Sequence, residues 1–180
     1  MKTTIRTTVI CIFSLFFIQT IFAQSKKFKA DNVYYSRTDT KVLNVSNEVW
    51  KKILSKELYQ VAREAATERA FTGSLYQNDI RGTYYCAVCG NGLFLSTAKF
   101  ESACGWPSFY EPLRTKSVLY KKDSSHNMVR TEVLCGRCES HLGHIFDDGP
   151  KPTGKRYCMN SAALIFVPEG GKPPTTSKPQ

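Results

Sequence analysis

At 180 residues the chain can hold one domain with a real core and not two large ones. Its formal net charge of +10 raises nucleic acid or an acidic surface as partners. The positive residues are dispersed, however (Lys26, Lys27, Lys29, Lys51, Lys52, Lys121, Lys122, Lys151, Lys155, Lys172), with no compact stripe of basic and aromatic residues, so the charge reads as solvated surface and no nucleic-acid partner is expected.

The first 23 residues stand apart. Lys2 and Arg6 form a basic start, Val9 to Phe22 is apolar apart from Ser14, Gln19 and Thr20, and Ala23 ends the run before Gln24-Ser25-Lys26-Lys27. This is the pattern of a secretory signal cleaved near Ala23. The alternative is an uncleaved membrane anchor, for which the run is short against the roughly 20 residues of a span. Cys11 lies inside the run and not at its end, so it does not read as a lipid-attachment site. Cleavage removes Lys2 and Arg6 and leaves a net charge of about +8. The expected location is therefore outside the cytoplasm, periplasmic or secreted, or on a membrane if the segment stays.

Residues 24–45 are polar and mixed and read as an N-terminal arm. Val49, Trp50, Ile53 and Leu54 then fall at helical spacing, with Ser46 as N-cap. From Ser55 onward Leu58, Val61, Ala62 and Ala65 predict a second helix, ending before Phe71-Thr72-Gly73. Both helices are expected to cover a sheet, with Trp50 as packing. From Gly82 the texture changes to short Val-, Tyr-, Phe-, Leu- and Thr-rich runs between turn residues. Strands are predicted at residues 83–88, 92–95, 117–121, 128–134, 144–146, 157–160 and 163–167, a pattern that suggests antiparallel sheets. The domain is placed at 46–168. Residues 169–180 are rich in Gly, Pro, Thr, Ser and Lys and are expected to form a disordered tail.

Seven cysteines carry the chemistry, six of them in the mature chain. Cys86-Ala-Val-Cys89 and Cys135-Gly-Arg-Cys138 are Cys-x-x-Cys turns whose four thiolates suit one structural zinc, with no open coordination position. Gly90 would let the backbone turn back past Cys89. The competing reading is three disulfides in an oxidising compartment, or a thioredoxin-like motif in one pair. Cysteines two apart rarely act as staples, and neither pair opens a helix, so zinc is the preferred reading.

Cys104 and Cys158 remain. Cys158 falls in a strand, where a cysteine is usually inert packing. Arg156 and Asn160 flank it at period two, and Ser140-His141-Leu142-Gly143-His144 lies just upstream, so a cation, an amide and an acid–base group are near. Cys104 sits in a Gly- and Pro-containing loop with Trp106, which either caps the core or walls an apolar pocket. A thiol on a mobile loop could resolve an oxidised Cys158.

Cys104-Gly-Trp-Pro-Ser-Phe109, His141-Leu-Gly-His-Ile-Phe-Asp-Asp-Gly-Pro150 and Arg156-Tyr-Cys-Met-Asn-Ser161 closely resemble the B-type peptide-methionine sulfoxide reductases, which reduce the R epimer of methionine sulfoxide. The similarity runs from about Asn47 to about Val167 and takes in the Trp50-Lys51-Lys52 region, Glu68-Arg-Ala-Phe-Thr-Gly73 and Pro152-Thr-Gly154. It implies a mainly β fold of two antiparallel sheets with N-terminal helices packed against them. It implies Cys158 as nucleophile and Cys104 as resolving cysteine. Trp106 would hold the S-methyl group and Ile145 would line the pocket. His141, His144 and Asn160 would handle the sulfoxide oxygen. Cys86, Cys89, Cys135 and Cys138 match the zinc-containing branch. Ala103 stands where glycine is common, Met159 where isoleucine is common and Ala163 where serine often appears; no reacting group is lost.

The implied chemistry is physically coherent. Thiolate attack on the sulfoxide sulfur needs the oxygen protonated as it leaves, gives a sulfenic acid, and ends in a Cys104–Cys158 disulfide reduced by an external thioredoxin-like dithiol. Two other functions are a zinc-ribbon binding module without catalysis and a general thiol–disulfide oxidoreductase. A sulfoxide reductase assay with a dithiol separates all three.

Overall fold

A computed structural model describes residues 32–125 and 127–171. One compact unit spans Tyr34–Pro174; of the other, Met1–Val33 with Thr175–Gln180, only Asn32 and Val33 are described. The signal segment, the first part of the arm and most of the tail lie outside the described residues.

The helical periodicity is realised as α1 (Asn47–Ile53) and α2 (Lys56–Glu64). Ser46 occupies the N-cap of α1 without a side-chain capping bond, whereas the Ser55 hydroxyl accepts from the Leu58 N–H at 3.2 Å and caps α2. α2 ends where Ala65 adopts φ 54°, and it buries Leu58, Val61 and Ala62. Trp50 is 1% exposed and edge-packed by Tyr34 at 5.2 Å, the packing role its spacing predicted.

Nine strands follow: β1 (Gly82–Cys86), β2 (Gly92–Leu95), β3 (Lys99–Phe100), β4 (Ser108–Phe109), β5 (Val118–Asp123), β6 (Arg130–Cys135), β7 (His141–Phe146), β8 (Arg156–Met159) and β9 (Leu164–Pro168). They form two antiparallel sheets, β2-β1-β9 and β3-β4-β8-β7-β6-β5. The mainly β architecture with two helices is thus the expected one. Two differences have physical causes. β1 stops at Cys86 and not at residue 88, because the chain folds there into a cysteine knuckle. β4 falls in the Cys104 stretch read as loop and β3 in a stretch given no strand; two-residue strands leave no alternation to detect.

The aromatic core joins the sheets. Phe94 of β2 stacks on Phe109 of β4 at 4.3 Å, and Tyr84 of β1 meets Phe109 edge-on at 4.9 Å. Such pairs add about 0.5–1.5 kcal/mol each beyond area burial. α2 packs on β7 and on the short 3-10 turn Ser161–Ala163 after β8. The two strands that carry the His-rich element and Cys158 are therefore held from one side by a helix.

Candidate active site and metal centre

The four paired cysteines meet at the ends of β1 and β6. Cys86 closes β1 and Cys135 closes β6. In the first knuckle the Cys86 N–H donates to Asn91 O and the Gly90 N–H to Cys86 O, with Gly90 at φ +79°, as expected of a glycine at this turn. The second knuckle repeats both bonds, Cys135 N–H to Ser140 O and Glu139 N–H to Cys135 O, but places Glu139 at φ 56° in the equivalent position. The four Sγ atoms lie within 4.8 Å of one another, all buried, with Cys86–Cys138 at 3.8 Å and Cys89–Cys135 at 3.6 Å. A tetrahedral ion with metal–sulfur bonds of about 2.3 Å needs sulfur–sulfur edges of about 3.8 Å, close to the two short edges here, so the cluster could hold such an ion. Burial raises the Cys86 thiol, and the hydrogen bond with Cys135 raises Cys89. Burial pushes Cys135 up too, but hydrogen bonds from Cys138, Cys86 and Cys89 bring it well below its ordinary value. One buried negative charge is tolerated; four thiolates need a cation among them.

Arg137, 2% exposed, lies between the cysteines of the second knuckle. Its guanidinium donates to Cys89 O at 2.6 Å, Tyr34 O at 2.8 Å, Lys41 O at 3.2 Å and Asp39 Oδ2 at 2.9 Å. The described part of the arm from Tyr34 is thus fastened to both knuckles, further fixed by Ser36 N–H to Cys89 O and Leu43 N–H to Arg137 O. Composition alone did not show this; a buried arginine inside a Cys-x-x-Cys turn is the signal that could have.

The unpaired cysteines also meet. Cys158, on β8 opposite Ser108 of β4 and His144 of β7, has its Sγ 3.3 Å from that of Cys104. Both are free thiols, and a bond at about 2.05 Å would need an approach of little more than about 1 Å. The Cys104 loop is already in place: Phe71 N–H donates to Gly105 O at 2.8 Å and Tyr76 Oη to Ser102 O at 3.3 Å, so no long excursion is required. Burial raises the Cys104 thiol, but hydrogen bonds with Ser102, Ser108, the Trp106 backbone and Cys158 outweigh it and bring it down to about 7. Cys158 moves up, first through burial and then through the Cys104 charge, with Arg156 opposing. The opposite shifts make Cys104 the first of the pair to ionise.

A cavity of about 100 Å³ opens beside Cys158, lined by Thr67, Trp106, Arg130, Gly143, His144, Phe146, Cys158 and Asn160. Four of the residues singled out in the sequence are therefore brought together: Cys158, Trp106, His144 and Asn160. Gly143 must lack a side chain, since a Cβ there would stand 2.0 Å from the Cys158 carbonyl oxygen. Trp106 is fixed by its indole N–H to Glu68 O at 3.2 Å, and Asn160 by Nδ2 to Leu142 O at 3.1 Å and by accepting from Glu68 N–H at 3.0 Å. The Glu68 carboxylate in turn accepts the backbone N–H groups of Ser161 and Ala162, at 2.5 and 2.9 Å.

Two of the expected residues are not among those that line the cavity. Ile145 does not line the cavity; it packs against the core, and Phe146 takes its place, because His144 and Phe146 share one face of β7. His141 does not line it either. It is 3% exposed, and its Nδ1 lies 2.7 Å from Glu132 Oε1. A register shift between Val133 and Leu134 brings His141 beside His144, with ring centroids 5.5 Å apart, in a support position. The ionised carboxylate can only accept, so His141 carries its proton on Nδ1, and burial lowers its tendency to take a second. Arg156 is held bidentately by Asp148, at 2.8 and 2.8 Å, and lies over the Phe146 ring at 4.4 Å.

The SelR domain family matches residues 54–168, the part that contains both centres. Proteins named peptide methionine sulfoxide reductase MsrB are similar over the same stretch. That of Leptospira interrogans is 57% identical over 127 residues, covering 71% of this chain and 97% of the relative. That of Methanosarcina barkeri is 54% identical over 129 residues (72% and 91%), and that of Thiobacillus denitrificans 57% over 120 residues (67% and 91%). With its fold, its cysteine geometry and these matches taken together, the chain belongs to the B-type peptide-methionine sulfoxide reductase family of oxidoreductases.

Proposed function

We propose that the enzyme reduces the R epimer of methionine sulfoxide in peptides or proteins, with Cys158 as nucleophile and Cys104 as resolving cysteine. The observation that carries this is the placement of Cys158 on the cavity wall with Trp106, His144 and Asn160, while Cys104 stands behind it at sulfur–sulfur contact. The names of the relatives support the substrate class.

The steps balance. Cys158 passes its proton across the contact to Cys104 and attacks the sulfoxide sulfur as thiolate, while His144 delivers a proton to the oxygen. The oxygen moves as hydroxyl to the Cys158 sulfur while the substrate sulfur's bonds to oxygen and to Cys158 break, so methionine leaves reduced and Cys158 becomes a sulfenic acid. Cys104 then attacks the Cys158 sulfur; water departs with the Cys104 proton, and a disulfide remains. A thioredoxin-like dithiol protein reduces it by exchange. Trp106 packs the S-methyl group, and Asn160 helps hold the oxygen. Cys86, Cys89, Cys135 and Cys138 hold one zinc ion, which ties the fold and takes no part in these steps. The basic and apolar pattern of residues 2–23 supports an enzyme exported to a periplasm or beyond.

Separated R and S epimers offered to the mature protein with dithiothreitol test the reading. Only the R epimer should turn over at a useful rate. The S epimer must set its oxygen against the indole or its methyl among polar groups, at about 1–3 kcal/mol for each buried polar group left unpaired. Equal rates, or disulfide reduction without sulfoxide reduction, would refute it.

A further inference from the structure

His144 is the cavity histidine, and what holds it is not apparent from any motif. Its Nε2 lies 2.8 Å from Asp123 Oδ2, the last residue of β5. The same oxygen takes a hydrogen bond from Arg130 Nη2 at 2.7 Å. Asp123 and Arg130 are register partners across the mouth of the β5–β6 hairpin, so the strand order β5-β6-β7 delivers all three groups to one point. The group is mostly shielded, with side chains 16%, 23% and 12% exposed for Asp123, Arg130 and His144. Arg130 also lines the cavity, and its Nε is buried with no hydrogen-bond partner among the described residues. The carboxylate stays ionised: the Ser125 hydroxyl and backbone N–H hold it well below the usual range, with His144 and Arg130 adding to this. An ionised carboxylate only accepts, so the ring must donate.

We infer that Asp123 is a positioning residue for His144: its Oδ2, clamped by Arg130, takes the Nε2 hydrogen, fixes the tautomer, and leaves Nδ1 as the nitrogen that meets the sulfoxide oxygen. This rests on the proposed reduction for its chemical meaning and not for its geometry. In the neutral ring Nδ1 is an acceptor. It carries a proton to deliver only when the ring is an imidazolium. After delivery the ring returns to the neutral Nε2–H form, still bonded to Asp123.

The test uses the whole mature enzyme and two readouts. Long-range proton–nitrogen spectra of the resting protein should show His144 as the Nε2–H tautomer, and Asp123→Ala should shift it toward Nδ1–H or a mixture. Rapid-quench single turnover of the R epimer should slow about 10–100-fold in Asp123→Ala and about 10²–10⁴-fold in His144→Ala. The double variant should be no slower than His144→Ala alone, because both act through one group. An Nδ1–H tautomer in the wild type, a tautomer unmoved by Asp123→Ala, or multiplying losses in the double variant would overturn the inference. Should Asp123→Ala fail to fold, Asp123→Asn keeps the side-chain size and carries the same measurements. A shifted tautomer beside a His144→Ala enzyme of wild-type rate would instead sink the role given to His144 in the reaction.

Discussion

Two anions 3.3 Å apart repel by about 5 kcal/mol at an effective dielectric of about 20, so Cys104 and Cys158 do not both ionise near neutral pH. The first charge settles on Cys104, where hydroxyl groups bring the thiol down to about 7. With peptide mapping after brief iodoacetamide exposure, Cys104 should alkylate first. Its rate should fall as pH drops through about 7, where the thiolate takes up its proton, and Cys158 should lag throughout. Faster labelling of Cys158 at pH 7 would place the charge wrongly. Removing Cys104 relieves Cys158 of that neighbour, so Cys104→Ser should form about one methionine per chain and stop, and Cys158→Ser none. Continued turnover of Cys104→Ser with a dithiol protein would mean that another cysteine resolves. At this scale the sequence displayed the thiols, the tryptophan and the histidines, because their types and local spacings are unusual. It hid Asp123 and Glu132, which stand 21 and 9 residues from the histidines they hold, since cross-strand pairing of ordinary acidic residues has no spacing signature. The faces of β7 were not fully legible either: a register shift brings His141 beside His144, whereas Ile145 simply alternates with His144 and Phe146.

Among the elements, the segment after α2 has neither helix nor strand, yet it positions two walls of the cavity. Glu68 holds the Trp106 indole through its carbonyl and Asn160 through its N–H, and its carboxylate caps the 3-10 turn after β8. Two charge-assisted bonds to backbone N–H groups contribute about 1.5–3 kcal/mol each before the cost of ordering the side chain. Glu68→Ala should therefore cost about 2–4 kcal/mol in denaturant unfolding and raise KM by loosening Trp106 and Asn160. An unchanged denaturation midpoint with unchanged KM would show that these bonds are idle. Both helices and the longer strands were legible because their periods of 3.6 and 2 persist for several residues. β3 and β4, two residues each, and the ordered segment at Glu68 were not, because hydrogen bonds to distant backbone leave no periodic trace.

At the largest scale the four-cysteine cluster brings the two sheets to one point. The Cys86–Cys89 turn closes a strand of the three-stranded sheet and the Cys135–Cys138 turn a strand of the six-stranded one, so a single ion held by the four thiols would tie the two sheets at one point. The aromatic stack of Phe94, Phe109 and Tyr84 joins them elsewhere. Arg137 adds the arm to the same tie, and Arg63 adds α2 through its bond to Cys138 O at 2.9 Å. Loss of such an ion would release both sheets, the arm and the helix together, and would leave thiols crowded in a buried site without a countercharge. Structural zinc of this kind supplies about 10–16 kcal/mol of apparent binding free energy, comparable to the whole stability of a domain. The purified protein should carry one zinc per chain by elemental analysis. Cys138→Ser, or prolonged chelation, should abolish the cooperative unfolding transition, and reductase activity should disappear with it. Cys158→Ser should keep full zinc and an unchanged Tm, because that thiol lies in the other cysteine cluster. A metal-free preparation that melts where the zinc-loaded one does would show that packing alone holds the sheets together.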